Sequence, residues 1–191
     1  MLQDLDKTLE QLLKSELPLP SIGEVNISFA APDSEFATHV GQGLIINLFL
    51  YDIRENLELR SNDWLVQRQS DGTALKYQPP ARVDCSYLIT VWSKSHEDEH
   101  RWLGEVMKVL LRYPNIPDKF LQGSLQGKEL PLQASALRPP QSQNWAEFWQ
   151  AMGGKPKAIL SYSVTLSVDV NEPIEAGKLV QESIVNYEVK Q

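Results

Sequence analysis

The chain has 191 residues, with 25 acidic and 18 basic side chains and a formal charge of −7. That length suits one domain with its own core. A surface this acidic has no general attraction for DNA or anionic lipid, so neither nucleic acid nor direct membrane insertion is expected.

Leu2, Leu5, Leu9, Leu12 and Leu13 follow helical spacing. Asp4, Asp6 and Glu10 come early and Lys14 late, which suits the helix dipole; Pro18 and Pro20 end the segment. Such a helix either docks on its own sheet or serves as an arm for a partner. The acidic start carries no signal-peptide pattern, and no apolar run reaches the roughly 20 residues of a membrane helix. Val25, Ile27 and Phe29 alternate with polar residues, which predicts a half-exposed strand. A loop from Ala31 to Gly43 carries His39.

Leu44–Asn56 reads LIINLFLYDIREN. Leu44, Ile46, Leu48 and Leu50 point one way, and Ile45, Phe49, Tyr51 and Ile53 the other. A strand apolar on both sides predicts a central strand with cover on each face. Only Asn47 interrupts it before the polar burst of Asp52, Arg54, Glu55 and Asn56. Trp64–Gln69 and Thr73–Gln78 flank Asp71-Gly72, a hairpin signal. The hairpin is polar, and alone it would be marginal in water. It either packs on the body through Trp64, Leu65, Leu75 and Tyr77 or projects to a neighbour.

After Pro79-Pro80 comes a strand, Val83–Trp92, with Cys85 on its apolar face. One cysteine excludes an internal disulfide and fits a reducing, cytoplasmic site of synthesis and assembly; its expected role is that of a small buried hydrophobe. Ser95 is a helix N-cap with Asp98 three residues on. The helix runs to Tyr113 with a stripe of Leu103, Val106, Met107, Leu110 and Leu111. A loop-rich stretch follows, with a short strand near Glu129–Ala134. Asn144 caps a brief helix on which Trp145, Phe148, Trp149 and Met152 form one aromatic stripe, either core packing or a binding platform. Ile159–Val170 alternates strictly, with a polar face of Ser161, Ser163, Thr165 and Ser167 that is wet or covered by a polar partner. Asn171-Glu172-Pro173 and Gly177 are turn-like. Lys178–Lys190 is expected to be extended, either folded back beside Ile159–Val170 or reaching away to a neighbour's sheet edge. The fold class is α+β, a mostly antiparallel or mixed sheet covered by helices. Residues 1–170 form the domain and 171–191 a C-terminal extension.

One motif invites a catalytic reading. His96-Glu97-Asp98-Glu99-His100 matches H-E-x-x-H, whose histidines share a helix face and hold zinc in metalloproteases. Two acidic middle residues, a place in the first helical turn and only His39 as a further histidine weigh against a zinc hydrolase. No phosphate loop or nucleophile elbow is present, so no catalytic residue, cofactor or metal is assigned. Asp52, Arg54 and Glu55 are better suited to ion pairing, within the domain or across a subunit boundary.

Several segments carry a resemblance. Phe49-Leu50-Tyr51-Asp52-Ile53-Arg54-Glu55-Asn56, then Glu58-Leu59-Arg60, resembles the cap family of contractile injection systems. These are tail-terminator proteins of phage-tail-like particles such as the Photorhabdus virulence cassette and the antifeeding prophage. Pro79-Pro80, the strand Asp84–Ser93, His100 with Leu103-Gly104, Phe148-Trp149 with Gly153-Gly154, and Tyr162-Ser163-Val164 match in the same order. The resemblance covers Leu2–Val170 and implies a non-enzymatic structural protein. It would form a hexameric ring that terminates the inner tube and anchors the last sheath layer, in a particle released or membrane-attached. A baseplate or adaptor subunit of the same particle is the nearest alternative. Asp52, Arg54, Glu55, Arg60, Trp64, Arg68 and Tyr187 are the candidate subunit or partner contacts.

Overall fold

The computed structural model describes residues 1–18, 25–33, 36, 43–71, 73–128, 130–137, 144–170 and 172–178. In chain order its elements are α1 (Leu2–Glu16), β1 (Val25–Ser28), β2 (Leu44–Glu55), β3 (Leu65–Arg68), β4 (Thr73–Tyr77), β5 (Ala81–Trp92), α2 (His96–Arg112), β6 (Asn115–Ile116), β7 (Leu132–Ala136), α3 (Trp145–Ala151), β8 (Leu160–Val168) and β9 (Ile174–Lys178). Six strands form one sheet in the order β1-β2-β5-β8-β7-β6, and β3-β4-β9 form a second. Only β1 and β2 run parallel; the other pairs are antiparallel. This is the mostly antiparallel α+β arrangement expected.

α1 and α2 cover one face of the large sheet. Leu5, Leu9, Leu12 and Leu13 of α1 are buried in one core with Ile46, Leu48, Tyr87, Ile89, Tyr162 and Val164. Each such leucine contributes about 1.5–3 kcal/mol of apolar transfer. So α1 docks on its own sheet. Polar contacts fix it there: the Tyr87 hydroxyl donates to Asp6 Oδ1 at 2.8 Å, and Ser124 donates to Asp4 Oδ2 through its N–H (3.2 Å) and hydroxyl (2.7 Å). Ser95 caps α2 as predicted, its hydroxyl accepting from the Asp98 N–H. The α2 stripe is turned from the expected one. Trp102, Val106, Val109 and Leu110 are buried, Leu103 and Met107 are half-buried, and Leu111 is exposed. Cys85 is buried, and burial first, then nearby Asp84 and Asp6, push its thiol up to about 11, so it behaves as an inert hydrophobe.

α3 lies on the opposite face. Its ring of Trp145 meets Tyr51 edge-on at 6.1 Å, Phe148 faces Phe49 at 6.3 Å, and Trp149 is buried. The aromatic stripe is therefore core packing, held at its start by the Asn144 side chain, which accepts from Ala146 N. Thus β2 is covered on both faces. Asn47 is completely buried there and its amide has no hydrogen-bond partner among the described residues, a cost of about 1–3 kcal/mol.

Two expectations need correction. The alternation of β2 does not continue to its end. Leu50 pairs with Tyr87 but Asp52 with Ser86, so Tyr51 is the extra residue of a β-bulge. Beyond it Ile53 falls on the face of Leu48 and Leu50, opposite Cys85, while Asp52 and Arg54 share the face of Phe49. The turn-like stretch after Val170 also differs. Ile174–Lys178, which includes Gly177, is a strand paired with β4, so the hairpin is not isolated but gains a third strand. Of Lys178–Lys190, residues 179–190 lie outside the described residues, as does His39.

Gly123, at φ +55°, stands against Asp4: a Cβ there would lie 2.5 Å from Asp4 Oδ1. Gly123→Ala is expected to lose about 1–3 kcal/mol from the backbone conformation alone, with a further loss as Asp4 is displaced. Urea unfolding should show a lower midpoint at unchanged slope. The Ser124 hydroxyl, above all, holds the Asp4 carboxyl down to about 2, from 3.8. A lowered folded value gives stability that is present above 3.8 and lost as pH falls through about 2. Stability measured down that range should fall less steeply in Asp4→Asn than in the wild type.

Candidate assembly interface

The wet end of β2 and the small sheet leave the large sheet on the same side. Glu55 pairs with Val83 near the start of β5, Ala81 pairs with Val168 at the end of β8, and the chain enters β3 and β9 from there. A polar network fixes this end. Asn56 Nδ2 donates to both Asp84 oxygens at 3.2 and 3.0 Å, and Thr165 Oγ1 donates to Asp84 Oδ1 at 2.6 Å. Asn56 Oδ1 also accepts from Leu59 N, closing the 3-10 turn Leu57–Leu59.

The candidate contacts gather here. Arg54 Nε pairs with Asp52 Oδ2 at 2.7 Å, two residues apart on one face of the bulged strand. Arg60 Nε lies 3.5 Å from Glu55 Oε1. Both pairs are within the domain, and their arginines are more than half exposed. Such pairs are worth about 0–1 kcal/mol to the fold. Trp64 sits beneath Lys76, whose Nζ is 5.1 Å from the ring centroid. Arg68 ends β3 and is exposed. Tyr187 lies outside the described residues. Burial first, offset by a hydrogen bond from Ser86, pushes the Tyr51 phenol up.

Sequence reasoning singled out Trp64 and Leu65 at this end but missed the extent of its exposed apolar surface. Ile53, Leu57, Leu59, Trp64, Leu65, Val66, Val170 and Ile174 are exposed, eight of the twelve exposed large hydrophobic residues among those described. Exposed apolar side chains are thus more concentrated at this end than elsewhere among the described residues. The signal was present in Leu57, Leu59, Leu65 and Val66, but the surrounding charge hid it.

The opposite end of the sheet holds the H-E-x-x-H segment. His96 is 97% exposed at its side chain, with Nδ1 3.5 Å from Glu99 Oε2. Glu99 is engaged elsewhere. It accepts from Lys157 Nζ at 2.6 Å and from Ser93 N at 3.2 Å. Burial raises its carboxyl, but those hydrogen bonds and the Lys157 charge outweigh it and leave the group below the ordinary glutamate value. Lys157 also lies 4.4 Å over the Trp92 ring, so the pair fastens the start of α2 to β5 and to the approach to β8. Among the described residues no three His, Cys, Asp or Glu side chains are placed to hold a metal ion, and no helix is long and apolar enough to cross a membrane.

The whole chain is similar in fold to the sheath/tube terminator of an extracellular contractile injection system, PVC, in its extended state, at a TM-score of 0.66 and 24% identity. Over 98% of its length it is similar to the tube-terminating cap of the anti-feeding prophage, at a TM-score of 0.64 and 20% identity. It spans 64% and 62% of those two chains. A search of curated proteins finds no match. The sequence pattern of the Pvc16 N-terminal domain matches residues 4–182. With nearly the whole sequence accounted for by that pattern and the whole fold by two terminators, the chain belongs to the Pvc16 N-terminal domain family.

Proposed function

We propose that this chain is a structural cap of a contractile injection system. Six copies form a ring that ends the inner tube and anchors the last sheath layer, and the chain acts by binding alone. The observation that carries this reading is the terminator-like fold across the entire chain in a member of the Pvc16 N-terminal domain family. Synthesis and assembly take place in the cytoplasm, in keeping with a single buried thiol.

The mechanism follows from two chemically unlike ends. The end bearing Leu57, Trp64, Leu65 and Val66 offers exposed apolar surface, which gains free energy when a partner excludes water. The other end begins α2 with Glu97, Asp98 and Arg101 in solvent and mutually screened, Arg101 and Asp98 pairing at 2.9 Å. A polymer stops growing at a subunit that is adhesive on one side and satisfied by water on the other. Side-by-side contacts that repeat and close give a cyclic ring. Solvent-exposed arginines paired to carboxylates at the adhesive end can exchange partners across a boundary, which sets register more than affinity.

Particle imaging should place this protein at one terminus as a six-fold ring. A terminal ring of another symmetry sinks the hexamer, and its absence from the terminus sinks the cap. Deleting the hairpin Trp64–Gln78 should leave tubes uncapped and of uncontrolled length; normal capping by that variant would remove the hairpin end from the interface. His96→Ala and His100→Ala, alone or together, should shift stability by less than about 0.5 kcal/mol and leave assembly unchanged. Stoichiometric zinc in the purified protein, lost in the double variant, would instead favour a metal-dependent activity.

A further inference from the structure

Among the described residues, no strand pairs with the outer edge of the small sheet. β3 is its end strand, pairing with β4 through Leu65↔Tyr77, Val66↔Lys76, Gln67↔Leu75 and Arg68↔Ala74. Gln69 N donates to Thr73 O at 2.9 Å. Backbone groups alternate in direction along a strand, so Gln67 and Leu65 also face β4, while Val66 and Arg68 turn their N–H and C=O outward. All of β3 is exposed, Val66 by 59%. Strand edges are normally blunted by lysine, proline or a bulge. Here the central outward position is valine, and the β3–β4 register is continuous. Such an edge binds an extended polypeptide, by main-chain hydrogen bonds and by alternate side chains.

This chain contains a matching segment. Residues 179–191, thirteen in number, hold Leu179, Val180, Ile184, Val185, Tyr187 and Val189 among Glu182 and Glu188. Their route begins at the hairpin tip, because β9 runs outward along β4, from Ile174 opposite Lys76 to Lys178 opposite Thr73. Extended, thirteen residues reach roughly 40 Å, enough to leave one copy for the next. The chain's own β9 is a poor acceptor, since Glu175, Ala176 and Gly177 offer little apolar surface. The apolar complement, Trp64, Leu65 and Val66, is at β3, on the far side of β4. We infer that β3 is an acceptor edge, completed in the assembled ring by residues 179–191 of a second copy of this chain. The inference rests on the ring reading above, in which copies meet side by side.

The test uses the full chain. Val66→Pro removes the outward donor and no β3–β4 hydrogen bond, since its N–H faces away from β4. Val66→Lys leaves the backbone intact and guards the edge with charge, should the proline variant fold poorly. Hydrogen exchange on residues 179–191 should show protection that grows with protein concentration. Either variant should release that protection and weaken self-association by at least about tenfold, at near-normal thermal stability. Protection that is independent of concentration and indifferent to both variants would mean the segment folds on its own copy and would overturn the inference. A six-fold ring at tube ends with residues 179–191 exchanging freely would also overturn it, and would leave the cap reading standing. Concentration-dependent protection that Val66→Pro abolishes, without a six-fold ring, would uphold the strand exchange and remove the hexamer.

Discussion

β2 pairs with β1 through Leu44–Asn47 on one side and with β5 along the other, so its first half is engaged at both edges and its side chains must satisfy two different covers. On one face Ile46 and Leu48 meet the leucines of α1 and the stripe of α2. On the other, Phe49 and Tyr51 meet the aromatic rings of α3. With both faces buried over its first half, the strand cannot shift register by one residue without exchanging whole sets of side chains between two covers of different shape. β5 inherits its register from β2, and β8 from β5. The position of each helix follows from those faces, since α1 and α2 have one apolar stripe each and only one place to bury it.

Polar groups then orient what apolar burial attracts. Burial is non-directional, so leucines alone would hold α1 to the sheet without fixing its rotation. Asp6 receives the Tyr87 hydroxyl, and Asp4 receives Ser124 from the 3-10 turn Gly123–Leu125. At the other end of the helix Glu16 accepts from Arg112 at 3.0 Å and from Lys119 at 3.4 Å, and the Tyr113 hydroxyl, above all, holds its carboxyl below the ordinary value. Together these contacts tie α1 to β5, to the end of α2 and to the connection before β7. The same division recurs at α2, where Glu99 and Lys157 do for its start what Asp4 does for α1.

The order of elements was readable because apolar spacing changes between 3.6 and 2 where helix and strand meet, with Pro18 and Pro114 at two of those changes, and Pro79-Pro80 separates two strands. What escaped depends on partners distant in the chain. The stripe of α2 is centred on Val106 and Leu110 in both readings. Whether Trp102 and Val109 or Leu103 and Leu111 flank it is decided by the sheet beneath, which the helix sequence does not contain. β9 reads IEAGK, with little strand propensity, and is held by main-chain pairing to β4. Asp4 looked like a dipole residue, because Ser124 is its partner only through the fold. Among the candidate contacts, charge pointed to Asp52, Arg54, Glu55 and Arg60, which form two separate ion pairs within the domain, Arg54–Asp52 and Arg60–Glu55. The apolar surface beside them went unread, because no periodic pattern shows which leucines fail to find a cover.

The bulge at Tyr51 gives β2 an unusual freedom. A residue removed from or added to a paired strand ordinarily turns every later side chain to the wrong face. Tyr51 is already the surplus residue, with Leu50 and Asp52 facing consecutive partners on β5. Its loss would straighten the strand and leave Ile46, Leu48, Asp52 and Arg54 on the faces they now occupy, at the expense of a ring contact with Trp145 and a hydrogen bond with Ser86. The buried half of the strand and its charged end can therefore change length independently at this single point. A chain lineage could retune the reach of its outer end there without repacking the core.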